Sequence, residues 1–272
     1  MTFLLARRRS PWATALLLFL ALIAVGGMYA VASGSMRAEA TTPTASTTQI
    51  EEGRELFLVG CSTCHGLNAD GAFQPDGTIA GPTLIGVGAA SVNFNVSTGR
   101  MPLAAPGAQA KRKPPIYSDE ETAALAAYIA SLAPGPEIPT PDMYDTTGIT
   151  PEEIALGGQL FRANCASCHN FAGEGGTLTD GKYAPSLTET EPRNVYQAML
   201  LGPQNMPNFP DTTLRQEDKR AIIGYIEALR ETPNSGGIDA GRLGPVTEGI
   251  VVWTVGLGAL IAVAIWIGVK AK

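Results

Sequence analysis

The stretch LVGCSTCHG, residues 58–66, holds two cysteines separated by two residues and a histidine directly after the second cysteine. A second copy, RANCASCHN, occupies residues 162–170. The chain of 272 residues has four cysteines and two histidines in total, and all of them lie in these two copies. They are Cys61, Cys64, His65, Cys165, Cys168 and His169. Such concentration indicates one chemical task that is carried out twice.

The pattern C-x-x-C-H is the attachment pattern of c-type haem. Two thiols at this spacing reach two vinyl groups on one porphyrin edge, and the adjacent histidine then lies beneath the iron. We therefore predict two covalently bound haem c groups, held by the four cysteines, with His65 and His169 as axial iron ligands. A disulfide, a thioredoxin-like redox pair or part of a zinc site would also use C-x-x-C. None of these alternatives explains a histidine after both pairs.

The second ligand of each iron must come from another residue type, because the chain has no third histidine. Methionine is the natural candidate. Met101 and Met206 follow the two motifs at nearly equal distances, and each precedes a proline. We predict that both are axial ligands. The alternative for a methionine is core packing, which suits Met199 in the helical run NVYQAMLLG.

Pro82 and Pro185 stand at similar distances after the two motifs, in GPTLIG and APSLTE. A proline carbonyl in such a pocket can accept the Nδ1–H of the iron-binding histidine and orient the ring. We predict this supporting role for both prolines. An ordinary turn proline is the alternative.

The chain repeats itself beyond the motifs. GRELFLVGCSTCHG (53–66) aligns with GGQLFRANCASCHN (157–170), and DEETAALAAYIASL (119–132) aligns with QEDKRAIIGYIEAL (216–229). Apolar residues recur at helical spacing, and neither half shows strand alternation. Each half is therefore predicted to be mostly helical.

Helix starts are predicted from capping boxes, in which a serine or threonine precedes a glutamate or glutamine by three residues. The predicted cap residues are Thr48, Ser118, Thr150 and Thr213.

Apolar segments near both ends are long enough to cross a bilayer. They run from Pro11 to about Ser33 and from about Val246 to Val269, and basic residues flank each on its terminal side. Because basic residues favour the cytoplasm, we predict that both termini are cytoplasmic and that the middle lies outside the plasma membrane. A cleaved signal peptide is the alternative for the first segment. The net charge of −6 excludes the basic footprint of a nucleic-acid binder.

The order C-x-x-C-H, Pro-x-Leu, Met-Pro and a final amphipathic helix bearing tyrosine resembles class I cytochromes c. The arrangement of two such units between two anchors resembles the dihaem cytochrome c subunits of actinobacterial cytochrome bcc complexes. That resemblance implies a quinol–cytochrome-c reductase subunit (EC 7.1.1.8 type). It implies partners as well: the Rieske iron–sulfur and cytochrome b subunits, an aa3-type oxidase whose copper centre receives the electrons, and membrane lipid.

The expected fold class is all-α, with two tandem class I cytochrome c domains flanked by N- and C-terminal transmembrane helices. The predicted segments are an anchor or signal segment (1–33), a linker (34–47), the first cytochrome c domain (48–132), a Pro-rich, extended linker (133–149), the second cytochrome c domain (150–231), a linker (232–245) and a C-terminal transmembrane helix (246–269).

Two other functions compete with an electron relay. The first is a dihaem redox enzyme, of the peroxidase or thiosulfate-oxidising type, with one open haem. The second is a docking module whose haem groups are mainly structural. The basic loop Lys111–Arg112–Lys113 is either a docking site for an acidic partner or a solvated loop.

Overall fold

The computed structural model describes residues 11–35, 45–232 and 249–270. The basic residues Arg7, Arg8, Arg9 and Lys272 lie outside the described residues. So do most of the predicted linkers 34–47 and 232–245.

The described residues are mostly helical. The helices are α1 (Pro11–Ser35), α2 (Thr47–Gly60), α3 (Ser62–His65), α4 (Gly88–Ser97), α5 (Asp119–Leu132), α6 (Pro141–Tyr144), α7 (Pro151–Asn164), α8 (Ala166–His169), α9 (Pro192–Leu201), α10 (Gln216–Glu231) and α11 (Gly249–Lys270). A π-helical turn, Val252–Leu257, lies within α11.

Each half is built around a crossing of its first long helix with its last. In the first half α2 crosses α5 where a Cβ added at Gly53 would overlap the Ala124 carbonyl oxygen. Glycine at this point lets the two backbones touch. Next to the crossing, the rings of Phe57 and Tyr128 lie 5.4 Å apart and tilted by 50°, a favourable aromatic geometry.

The second half repeats this arrangement. Helix α7 crosses α10 where a Cβ at Gly157 would overlap the Ala221 carbonyl oxygen. The rings of Phe161 and Tyr225 lie 5.4 Å apart and tilted by 48°. The sequence repeat is therefore a repeat of the packing.

Two small hairpins depart from the predicted absence of strands. β1 (Ala72–Phe73) pairs antiparallel with β2 (Ile79–Gly81), and β3 (Gly176–Thr177) pairs with β4 (Tyr183–Ala184). Strands of two or three residues are too short to show alternation.

Two of the four predicted helix caps are confirmed. Ser118 and Thr150 each form a reciprocal capping box with the glutamate three residues later. The other two predictions were wrong. Ser46, rather than Thr48, caps α2 by accepting from Gln49 N, and α10 begins after Arg215, whose N–H donates to Asp218.

The two halves meet through equivalent helices, α4 and α9. The buried Gln197 Nε2 donates to Asn93 Oδ1 at 3.0 Å. These two residues occupy equivalent positions in the repeat. Contact between equivalent positions is characteristic of an approximate two-fold relation.

The Pro-rich segment 133–149 contacts both halves. The Pro136 carbonyl oxygen accepts a hydrogen bond from Ala90 N at the start of α4. Met143 and Tyr144, in α6, pack against the core of the second half. The segment is therefore integrated into both halves.

Among the described residues, one helix is long and apolar enough to cross a membrane, Gly249–Lys270. Its 22 residues span about 33 Å at 1.5 Å per residue. In helix α1 the continuous apolar stretch is the shorter Ala15–Met28.

Candidate functional site

Both C-x-x-C-H motifs have the same local backbone. In the first, Cys61 N donates to Phe57 O at the end of α2, and His65 N donates to Cys61 O at 3.0 Å. In the second, Cys165 N donates to Phe161 O, and His169 N donates to Cys165 O at 2.9 Å. Helical spacing places the two cysteines and the histidine of each motif on one face.

The histidine of each motif contacts the predicted proline. His65 Nδ1 lies 2.8 Å from Pro82 O, and His169 Nδ1 lies 2.9 Å from Pro185 O. Because a carbonyl oxygen only accepts, Nδ1 carries the proton in this contact, and the lone pair of Nε2 is left to bind a metal.

Neither pair of cysteines forms a disulfide in the structure. Burial, with a smaller effect from the neighbouring cysteine, raises the pKa of both Cys61 and Cys165 to about 11. A thioredoxin-like redox pair requires a lowered thiol pKa, so the structure disfavours that alternative. Among the described residues, no group of three or more His, Cys, Asp or Glu is arranged to hold a metal ion.

A cleft in the second half brings together the residues predicted for that site. Cys165, Cys168 and His169 lie along its wall, together with Pro185 and Met206. The remaining lining is largely apolar and includes Phe161, Leu187, Val195, Met199, Phe209, Ile222 and Ile226.

The cleft of the second half fits a haem group. A porphyrin needs apolar walls, and the lining supplies them. His169 is 8% exposed. Burial lowers the pKa of His169, an effect that the hydrogen bond to Pro185 partly opposes. The neutral imidazole that results is the form that binds metals.

Three of the predicted residues of the first half, Cys61, His65 and Pro82, are more exposed than their counterparts in the second half. Cys61 and Met101 both pack against the core cluster that contains Phe57 and Leu125. His65 is partly exposed. Met101 N donates to Asn95 O at 2.9 Å, which fixes the loop after α4.

Residues of the first half also line the cleft of the second half. The sequence analysis did not predict this contribution. They include Arg100, Gln109 and Arg112. Burial, reinforced by the nearby Arg112, lowers the pKa of Arg100. The signal in the sequence was the extra segment 108–117, which the second half lacks.

The three residues of the basic loop have different surroundings, and both Lys111 and Arg112 are exposed. Lys113 Nζ donates to the carbonyl oxygens of Gly99 and Pro102 at 2.5 and 2.6 Å. Arg112 lines the second cleft.

Family models match both halves. Residues 50–133 match the model described as cytochrome c, and residues 152–226 match the model described as cytochrome c oxidase, cbb3-type, subunit III. Two cytochrome c domains fit two covalently bound haem c groups, as the sequence predicts.

Curated relatives span most of the chain. A cytochrome bc1 complex cytochrome c subunit of Corynebacterium diphtheriae is 46% identical, over 82% of this chain and 81% of the relative. The subunit of the same name from Mycobacterium leprae is 43% identical, over 94% of this chain and 87% of the relative. That of Mycobacterium tuberculosis is 41% identical, over 97% and 93%.

Among solved structures, the chain is similar to one titled Kuenenia stuttgartiensis reducing HAO-like protein complex Kustc0457/Kustc0458. The TM-score is 0.37 and the identity is 17%, over 69% of this chain and 98% of that chain.

Proposed function

This chain belongs to the family of cytochrome bc1 complex cytochrome c subunits, and from that premise we propose that it is the dihaem electron relay of a menaquinol-oxidising complex. The proposed route runs from the Rieske iron–sulfur subunit, through the two cytochrome c domains, to the copper centre of an aa3-type oxidase. The cytochrome b subunit is the other proposed partner. In this proposal the chain is the electron-transfer subunit of a quinol–cytochrome-c reductase and has no substrate site of its own.

The observation that carries the proposal is that both halves present the same set of groups. Each has two thiols and a histidine on one helical face, a proline carbonyl oxygen on the histidine Nδ1, and a methionine at the same position in the repeat. When bound, the two haem groups supply reversible one-electron chemistry at iron.

The residues of this chain would hold that chemistry in place. The proposed covalent anchors are Cys61 and Cys64 in the first domain and Cys165 and Cys168 in the second. His65 with Met101 would bind one iron, and His169 with Met206 would bind the other. Pro82 and Pro185 would hold the two imidazoles in the tautomer that leaves Nε2 free. A histidine and a methionine held at each iron by the protein would exclude a substrate from it, which favours a relay over a redox enzyme.

The adjacency of the two sites also favours a relay. Met101 packs in the core of the first half, whereas its chain neighbour Arg100 lines the cleft of the second half. Consecutive Cα atoms are about 3.8 Å apart. A residue of the first site and a residue that lines the second cleft are thus neighbours in the chain. Electron transfer between the two sites would therefore need no movement of the domains.

We further propose that the chain is anchored at both ends, with both termini cytoplasmic and the haem domains outside the plasma membrane. The apolar helix Gly249–Lys270 and the apolar stretch Ala15–Met28 of α1 support the two anchors. Tethering to the complex would replace diffusion with a high effective concentration of donor and acceptor. Phosphatase fusions at each terminus and within 133–149 would test the topology, with activity expected only for the internal fusion.

The relay is tested on the complex purified from native membranes in mild detergent. We expect two covalent haems per chain, no CO binding by either, and co-purification of Rieske, cytochrome b and oxidase subunits. Met101→His and Met206→His should each lower the midpoint potential of one haem, because methionine ligation raises it. A high-spin haem that binds CO in the unaltered protein would instead support the dihaem redox enzyme.

A further inference from the structure

The cleft of the second domain collects positive charge in an acidic protein. The chain has a net charge of −6. Nevertheless Arg100, Arg112 and Lys182 all line this cleft, and the described lining residues include no aspartate or glutamate. A cluster of cations without a carboxylate selects for a negatively charged ligand.

Two of the three cations come from the first domain. Arg100 directly precedes Met101, and its guanidinium carbon lies 4.7 Å from the centroid of the Phe94 ring. Phe94 also lines the cleft. This stacking holds the planar guanidinium at the domain boundary.

Arg112 lies on a loop that is hydrogen-bonded to the second domain at two points. Gln109 Nε2 donates to Tyr183 O at 2.8 Å, and Tyr183 N donates to Gln109 Oε1 at 3.0 Å. Ala110 and Gln204 make a second reciprocal pair, at 3.1 and 3.2 Å.

The same loop is fastened to the first domain by Lys113, which donates to the carbonyl oxygens on both sides of the Arg100–Met101 pair, those of Gly99 and Pro102. The stacking on Phe94 therefore positions the Arg100 guanidinium, and the hydrogen bonds of the loop fix the backbone that carries Arg112. Neither forms an ion pair with a carboxylate among the described residues. Arg100 is half-buried and Arg112 is exposed, and two neighbouring cations without an ion-pair partner repel each other unless an anion lies between them.

We propose that Arg100 and Arg112 bind the carboxylate groups of the haem held by Cys165, Cys168 and His169, so that the first domain completes the haem site of the second. This inference rests on the proposed function. Guanidinium groups suit it because they bind carboxylates with two parallel hydrogen bonds. Lys182 contributes a third positive charge from the second domain.

The two arginines would give the two haems different redox potentials. Asn205 occupies the position in the second domain that is equivalent to Arg100, and Arg112 lies in the segment that the second domain lacks. Positive charge near an iron disfavours its ferric form. The two arginines therefore raise the potential of the second haem.

The test compares Arg100→Gln, Arg112→Gln and the double variant with Lys111→Gln in the intact complex. Lys111 is a matched control, because it is an exposed cation of the same loop and does not line the cleft. Spectroelectrochemical titration should show a downward shift of one midpoint potential, larger in the double variant than in either single variant. Lys111→Gln should leave both potentials unchanged, and Arg100→Lys should recover part of the loss. A double variant whose potentials match those of Lys111→Gln would overturn the proposal.

The shifted haem must be the one whose spectrum changes in Met206→His; a shift confined to the other haem would also overturn the proposal. A haem count below two, or no spectral change in Met206→His, would overturn the proposed function itself. A free anion offers the same chemistry as a haem carboxylate. Adding inorganic phosphate at constant ionic strength should therefore have no effect on the potentials. A saturable, phosphate-dependent shift that vanishes in the double variant would assign the site to a free anion instead.

Discussion

The two cytochrome c domains share their helix crossing but differ in how they shield the histidine of the motif. Gly53 and Gly157 occupy equivalent crossings, and the Phe–Tyr ring pairs have nearly the same geometry. Yet His169 is buried whereas His65 is partly exposed. The packing skeleton is thus maintained in both halves, while the surroundings of the site have diverged.

The two sites also differ in that the first domain adds residues to the second site. Gln109 and Arg112 of the segment 108–117 line the cleft of the second domain, and the segment is hydrogen-bonded to Tyr183 and Gln204. A more exposed first site suits exchange with a partner, and a covered second site suits a distinct potential. The predictions below test whether the shared skeleton and the divergent surroundings can be separated.

The largest effect is expected from removing the covalent anchors of one domain. Cys165→Ala/Cys168→Ala and Cys61→Ala/Cys64→Ala should each halve the covalent haem per chain, measured on the denatured protein. Without its haem, the second domain should lose more protease resistance than the first. Its cleft is lined by core residues such as Phe161, Met199 and Ile222, which would then face water. Equal protease sensitivity of the two variants would show that the sites do not differ in this way.

A smaller, symmetric effect is expected at the helix crossings. Gly53→Ala and Gly157→Ala each place a Cβ onto a backbone carbonyl oxygen of the opposing helix. The helices must separate, so the free energy of unfolding should fall by about 1–3 kcal/mol or more in each variant. Urea unfolding followed by circular dichroism measures the change.

The control for the crossings is Gly107→Ala. A Cβ there has no neighbour within 4 Å, so the change should stay within about 0.5 kcal/mol. A loss at Gly157 without a matching loss at Gly53 would contradict the shared skeleton.

The contact between domains provides the third prediction. Gln197→Leu leaves the buried Asn93 Oδ1 without its donor, and this should cost about 1–3 kcal/mol in the free energy of unfolding. Because replacing both partners removes the unsatisfied atom, Asn93→Leu/Gln197→Leu should be less destabilised than the sum of the single variants. A double-mutant cycle measures the coupling, and simple additivity would argue against this hydrogen bond as a link between the halves.

The sequence was most informative where a feature depends on residues close in the chain. The helices 119–132 and 216–229 were predicted from periodicity and are found as Asp119–Leu132 and Gln216–Glu231. The C-x-x-C-H motifs predicted two covalent haems, and the family models agree.

Features that depend on distant residues could not be read in this way. The approach of Arg100 and Arg112 to the second cleft follows from the contact of α4 with α9 and from the fastening of the loop to Tyr183. Residues some hundred positions apart make these contacts, and no local pattern encodes them. The contacts of the Pro-rich segment with Ala90 and with the second core are also tertiary, so its local sequence could not predict them.

The smallest effect on the free energy of unfolding is expected from substitutions at the helix N-termini. They test directly whether the capping pattern in the sequence identifies the residue that caps the helix. Thr150 accepts from Glu153 N and its own N–H bonds the Glu153 side chain, so Thr150→Ala should cost about 1 kcal/mol of the free energy of unfolding. Ser46→Ala should cost somewhat less, because Ser46 accepts a single hydrogen bond, from Gln49 N.

Thr48 matched the capping pattern in the sequence but lies within α2. Thr48→Ala should therefore be neutral or slightly stabilising, since alanine has the higher helix propensity. Urea unfolding of the three variants measures these changes. If Thr48→Ala lowered the free energy of unfolding as much as Ser46→Ala does, Thr48 would be the cap of α2, as the sequence alone predicted.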